Sequence, residues 1–276
     1  MNLEKNWWKV LFLTLITVLI VREGHIIDGT PLPVQIFPLS FFSKAFGVRT
    51  VAMIFFLTFF SSMSVTFLIT EKWMNARKII KGLIFGVSWG AVYFLGAIET
   101  YPVFGKTSLI ADMRLASVDS LSIIVLGILF GIFFASDGRS SKANMKNNSF
   151  TLVVVTAFYI IGRYFAYSVL GIESGFIERP VSTFIWTLAT GISFGTLYML
   201  AGRNIREKNL MKRSVFFGLT NVGPNWLIFN LFWPFVFQSS FADAIVGRTI
   251  VDTFFIVLGA YFSERLINRK ATNLSS

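Results

Sequence analysis

The stretch VAMIFFLTFFSSMSVTFLIT, residues 51–70, carries no charged side chain. Wound as an α-helix at 1.5 Å per residue, it reaches about 30 Å, the depth of a bilayer's hydrocarbon core. Lipid offers no partner to a backbone N–H or C=O, so a span must be a helix or part of a closed barrel. A run this long and this uniformly apolar specifies a helix. Comparable runs fill much of the 276-residue chain. It is 54% hydrophobic and 17% aromatic, while charged residues make up 14% and sit in clusters. A soluble domain would show polar faces along its helices, and these runs show none. The expectation is an all-α polytopic membrane protein whose first partner is the lipid bilayer.

Eight spans are expected, at about 7–28, 50–70, 82–100, 120–136, 150–170, 181–201, 214–237 and 247–264. Charge tests that count. Of the 25 lysines and arginines, 17 fall at the termini and in one set of connections, 7 fall on the other side, and Arg163 lies inside a span. The basic excess marks the cytoplasmic face. It implies a multi-pass protein of the cell membrane with both termini cytoplasmic, and an odd number of spans would break the alternation. The net charge of +11 therefore reads as membrane orientation rather than a nucleic-acid surface. The first span has the basic start and apolar centre of a signal peptide. REGHIIDG (22–29) follows it without a small-residue cleavage site, so the span is expected to stay as an anchor. Its apolar run, 7–21, covers only about 22 Å, so the helix should continue through Arg22, Glu23 and His25.

One polar phrase is written twice. YPVFGKTSLIADMRLASVD (101–119) and WPFVFQSSFADAIVGRTIVD (233–252) share an aromatic-Pro, an Ala-Asp, an Arg and a Val-Asp in the same order. At a shift of 132 residues, VLG at 125–127 falls on VLG at 257–259. Small gaps align Asp112 with Asp243, Arg114 with Arg248 and Asp119 with Asp252. Arg49 aligns with Arg179, and Arg22 is set against Arg163. These matches predict a parallel 4+4 internal repeat, with units at 1–136 and 150–276. The stretch 137–149, with Gly, Ser and Asn, reads as the cytoplasmic linker between them.

The polar residues support two readings. Asp119 and Asp252 at helix starts would be favoured by the helix dipole, with Arg114 and Arg248 pairing or snorkelling beside them. Alternatively, Arg49, Arg114, Arg163, Arg179 and Arg248 line an outward-facing site, with Glu99, Asp119 and Asp252 as supporting acids, because charges at membrane depth usually face a bundle interior or water. Arg163 is the sharpest case, deep in FYIIGRYFAYSVLG, with Tyr167 one turn on and Glu99 as a candidate counter-charge. In the seventh span Asn221 and Asn225 flank Pro224, where a proline kink could open a binding face or simply pack. The glycine patterns 82/86/90, 127/131 and 191/195 are expected at close helix contacts, and Thr183, Thr187 and Thr190 form a further packing face. His25, the lone histidine, reads as structural or solvated more readily than as a proton sensor.

What the sequence lacks narrows the field. No phosphate-cradling glycine loop is present, and no HExxH. One histidine and no cysteine cannot make an imidazole- or thiolate-based metal site, so neither metal nor cofactor is expected. A diffuse metal site built from Asp112, Asp119, Asp243 and Asp252 is the one alternative, and their spacing diagnoses nothing. Three classes remain. A carrier or substrate-binding membrane subunit for a small anionic or zwitterionic solute would use the arginines, Asn221 and Asn225. A membrane enzyme acting on lipid or polyprenyl head groups would need Asp119 or Asp252. A non-catalytic accessory, immunity or sensor protein would bind another membrane protein. Catalysis is the less favoured reading.

Overall fold

The computed structural model describes residues 3–74, 76–137, 148–205 and 207–273. The expected linker falls largely outside these described residues. Ten α-helices follow in order: α1 (Leu3–Asp28), α2 (Phe41–Phe46), α3 (Val48–Thr70), α4 (Lys78–Ala97), α5 (Leu109–Phe134), α6 (Asn148–Ser168), α7 (Pro180–Leu197), α8 (Leu210–Phe217), α9 (Gly223–Val236) and α10 (Val251–Asn273). Among the described residues the only β pairing is an isolated bridge between Leu39 and Phe237. Among the described residues, seven helical segments are long and apolar enough to cross a membrane: Trp7–Asp28, Val48–Trp73, Lys78–Thr100, Leu109–Phe134, Ser149–Ser168, Pro180–Gly202 and Asp243–Asn268. The chain is thus a helical, multi-pass membrane protein. α1 runs on through Arg22, Glu23 and His25 to Asp28, as its short apolar run requires.

The seventh expected span, 214–237, is present as helix but stands outside those seven segments. It runs through α8, a π-helical turn at Gly218–Val222, and α9. Asn221, Asn225 and Asn230, with Pro224 and Pro234, dilute its apolar character. Pro224 has no N–H to give the carbonyl four residues earlier. That carbonyl, on Thr220, accepts instead from the Thr66 hydroxyl of α3, at 3.2 Å.

α5 corrects a boundary. It begins at Leu109, not near 120, so Asp112 and Arg114 lie within the helix. Asp119 stands ten residues, about 15 Å, inside its start. In the last helix a π-helical segment, Asp243–Ile250, precedes α10 and carries Arg248. Asp252 is likewise well inside a continuous helical stretch. Neither aspartate caps a helix.

Small residues set the tightest packing. A Cβ built on Gly82 would lie 2.2 Å from the Gly127 carbonyl oxygen, and one on Gly127 would lie 2.4 Å from the Gly82 oxygen. α4 and α5 therefore touch backbone to backbone, the contact that small-xxx-small patterns permit. Gly191 and Gly195 do the same for α7 against Thr156 and Leu152 of α6. α1 packs on α3 and α5, and α6 packs on α7 and α10, while α3 meets α9 and α4 meets α7.

Ion pairs tie both ends of the bundle. At the end holding the termini, Lys81 is 1% exposed and binds Glu71 at 2.9 Å, and Glu71 also accepts from Ser136. Nearby helix ends are held by Glu264, which takes Arg203 at 2.9 Å and Arg213 at 3.5 Å. The far end, where α1, α4, α6 and α9 finish and α5 and the last helix begin, carries the remaining buried charges.

Candidate functional site: a charge network inside the bundle

Arg163 sits on the inner face of α6, sixteen positions into a helix that places it against α7 and α10. Its side chain is fully buried. Nε donates to the Tyr159 hydroxyl, one turn earlier, at 3.0 Å. The guanidinium lies over the rings of Tyr159 and Trp186, at 5.7 and 5.3 Å. Trp186 is itself fixed by its indole N–H, which donates to the Leu95 carbonyl of α4. An arginine flanked by aromatic faces keeps its charge stabilised without water.

Two carboxylates answer it. Asp252 is also fully buried, and its Oδ2 lies 2.8 Å from Arg163 Nη2. The same oxygen accepts from the Trp226 indole at 2.8 Å. Glu99, in the 3₁₀ turn that ends α4, comes within 3.8 Å of Arg163, and it is the counter-charge expected from sequence. Arg248 closes the row: Nη1 donates to Glu99 at 2.6 Å and Nη2 to the Glu173 carbonyl at 3.2 Å. The order from the far end inward is therefore Arg248, Glu99, Arg163, Asp252. Two cations face two anions, so the network is neutral. Its hydrogen bonding is incomplete. Among the described residues, Asp252 Oδ1 and the Tyr167 hydroxyl are buried without a partner, and the Arg163–Asp252 approach is close but not aligned as a hydrogen bond.

A second, half-buried pair lies across the bundle. His25 Nε2 meets Asp119 Oδ1 at 2.8 Å, joining α1 to α5. The Tyr93 side chain of α4 lies close to the same carboxylate. Sequence reasoning did not include His25, Tyr93, Tyr159 or Trp226 in the site. The available signal was a histidine set past the apolar run of a helix that had to be longer than that run.

The other expected site residues lie apart from these pairs. Arg49 and Arg114 are exposed. Arg22, set against Arg163 in the sequence alignment, is exposed and pairs with its neighbour Glu23, and it is the half-buried His25 that faces an aspartate. Arg179 donates to the Tyr101 carbonyl and lies over the Tyr101 ring, fastening a connection rather than facing Arg163. Asn221 and Asn225 are fully buried in helix contacts. Asn225 Nδ2 donates to Thr66 at 2.9 Å and to the Asn221 carbonyl, while Ser62 donates to its Oδ1. Asn221 accepts from the Trp89 indole at 3.4 Å. A ring of five arginines does not assemble; two of them, Arg163 and Arg248, converge. Asp112 is satisfied by Thr100 and Thr107. Among the described residues no three acidic or histidine side chains gather as a divalent ion would need.

Two open grooves, one between α4 and α7 and one between α4 and α5, are lined by apolar side chains such as Val87 and Ala91. No charged side chain lines either of them. Chemistry therefore points to the network, not to the grooves. The chain matches no family model, no curated protein and no solved structure.

Proposed function

We propose that the chain is an eight-span carrier, or the substrate-binding subunit of one, for a small zwitterionic solute. It lies in the cell membrane with both termini cytoplasmic, and the far end of the bundle is the outer end. The observation that carries this reading is the neutral row Arg248–Glu99–Arg163–Asp252, buried inside the bundle yet incompletely hydrogen-bonded. Intramembrane charges are costly, and where they persist they mark substrate or ion paths more often than simple scaffolding. A bare anion entering this row would add a charge to it. A zwitterion would not, because its carboxylate replaces Asp252 at Arg163 while its cationic group takes Asp252 or Glu99. Arg163 supplies the planar fork that such a carboxylate fits. This narrows the anionic or zwitterionic class expected from sequence.

Several features support two four-span units, 1–136 and 150–276, joined by 137–149. The packing of α1 on α3 and α5 is mirrored by that of α6 on α7 and α10, and the contact of α3 with α9 by that of α7 with α4. Tyr93 and Trp226 are 133 positions apart. Each reaches an aspartate, Asp119 or Asp252, and these are also 133 apart. Lys81 and Arg213, 132 apart, each bind a glutamate at the terminal end. Trp89 and Asn221, again 132 apart, touch one another, as equivalent residues beside a two-fold axis do. An axis along the membrane normal is the parallel arrangement found in some transporters.

Thermal unfolding of the purified full chain against zwitterions, dicarboxylates and cations tests the reading. A ligand at 100 times its dissociation constant should add about 2.7 kcal/mol. Stabilisation by a zwitterion is expected in the natural chain and not in the charge-neutral variant Arg163→Gln/Asp252→Asn. No zwitterion response, or an equal one in that variant, overturns it.

A further inference from the structure

The pair His25–Asp119 has no task in the site described above, yet it is built like that site. Each unit joins its first long helix to its last through a basic side chain and an aspartate at 2.8 Å, and an aromatic side chain from the third span approaches each aspartate, Trp226 as a hydrogen-bond donor and Tyr93 by proximity. One set holds an arginine, permanently charged. The other holds the chain's only histidine, the side chain whose charge changes near neutral pH.

The two sets are connected. The Tyr93 ring stands edge-on to Phe229, with centroids 4.9 Å apart. Phe229 stacks on Trp226 at 4.7 Å, within 5° of parallel. Trp226 donates to Asp252, and Asp252 meets Arg163. An unbroken chain of contacts thus runs His25, Asp119, Tyr93, Phe229, Trp226, Asp252, Arg163. The imidazole is also reachable, since the His25 side chain is 27% exposed whereas that of Asp119 is 11% exposed. We infer that His25 and Asp119 form a proton-binding site, with Tyr93 as its link to the Arg163–Asp252 site, so that protonation drives opening of the network's outer end. The driving role rests on the carrier reading; proton binding at His25 does not.

The surroundings leave these groups to govern the titration. On α1 itself, Arg22 and Glu23 are exposed and pair with each other, and Asp28 follows His25 by one turn. α5 contributes Asp119 and, acting on Asp28, Arg114. α3 presents the Phe56 ring at 6.0 Å, and its single charged residue, Arg49, lies at its exposed start. When the neutral imidazole beside the Asp119 carboxylate takes up a proton, the pair changes from a net negative charge to an ion pair. The contact to Tyr93 then changes with it.

Two measurements on the full chain in lipid nanodiscs decide the matter. With ¹⁵N-histidine the protein yields one imidazole by NMR. That imidazole should take up a proton between about pH 8 and pH 5, with a midpoint that moves in Asp119→Asn. The chain has no cysteine, so Ala244→Cys gives a single thiol, buried one turn before Arg248. Its rate of modification by a methanethiosulfonate, divided by that of exposed Ser239→Cys, should change several-fold across the same range and be flat in His25→Gln. An imidazole in one protonation state throughout, or a labelling ratio indifferent to His25→Gln, overturns the inference. A zwitterion shift with a flat ratio would end it and leave the carrier standing. A responsive ratio without any zwitterion shift would end the carrier reading and leave the proton site.

Discussion

Arg163 and Asp252 meet at 2.8 Å with neither side chain exposed, and this one contact pins α6 to the last helix at membrane depth. Removing one partner would strand the other. Loss of half of a buried pair typically costs about 3–5 kcal/mol, whereas replacing both members with uncharged groups is often close to neutral. Arg163→Gln and Asp252→Asn should each lower the unfolding temperature in detergent sharply, and the double variant should recover most of the loss. Additive losses in the double variant would show that the charges do not act as a pair.

Gly82 gives a prediction from shape alone. A Cβ there would fall 2.2 Å from the Gly127 oxygen, on backbone that has no rotamer to yield. Overpacking of this kind costs about 1–3 kcal/mol, so Gly82→Ala should destabilise measurably and Gly82→Val more. Gly29 has open space around its Cβ position but a φ of +66°, so Gly29→Ala should carry only the smaller backbone penalty of a left-handed residue, about 1 kcal/mol. Equal effects at the two sites would contradict the close α4–α5 contact.

These two cases also mark what the sequence made legible. Spans 1–3 and 5–6, the glycine contacts and the nearness of Glu99 to Arg163 follow from apolar length, small-residue spacing and the cost of a lone charge. The start of α5 did not follow. Asp112, Arg114 and Asp119 lower local hydropathy, and only their partners Thr100, Thr107 and His25, set by the fold, show how Asp112 and Asp119 enter the bundle. His25 and Asp119 are 94 positions apart, beyond the reach of any helical spacing rule. Arg49 and Arg114 look like Arg163 and Arg248 in sequence, and only three-dimensional placement separates them. α9 falls within the expected span 214–237, but its asparagines, satisfied by α3, lower its apolar character and keep it out of the seven most apolar segments.

Asn225 and Thr66 test that last point. Their 2.9 Å bond joins α9 to α3, and such interhelical bonds average about 0.6 kcal/mol, reaching 1–2 in favourable cases. A double-mutant cycle of Asn225→Ala and Thr66→Val should yield a coupling in that range. Zero coupling would reduce the asparagine to space-filling.

Topology can be read with single cysteines, since none is native. Ser239 is exposed at the far end of the bundle and Asp137 at the terminal end. In intact cells an impermeant maleimide should label Ser239→Cys, while Asp137→Cys should react only after permeabilisation. The reverse pattern would invert the proposed orientation. Labelling of both from outside would break the even number of crossings.

Arg248 separates three kinds of contact at one place. It serves the buried Glu99 and the Glu173 carbonyl with two arms of one fork, over the Phe104 ring at 5.4 Å. Arg248→Ala strips Glu99 of its nearer partner and leaves it only Arg163 at 3.8 Å, and removing a hydrogen bond from a buried charged group costs about 1–3 kcal/mol. Arg248→Lys keeps the charge but reaches one acceptor at a time, so it should fall between alanine and the natural chain in both stability and zwitterion affinity. Glu173→Ala removes only the exposed pairing with Lys106, because Arg248 holds the Glu173 backbone. A surface pair of that sort is worth about 0–1 kcal/mol, so stability and affinity should stay near those of the natural chain. If lysine equals arginine in both measurements, the fork geometry is irrelevant and Arg248 acts as a bare charge. If Glu173→Ala matches Arg248→Ala, the outer end is held by the surface pair instead of by Glu99.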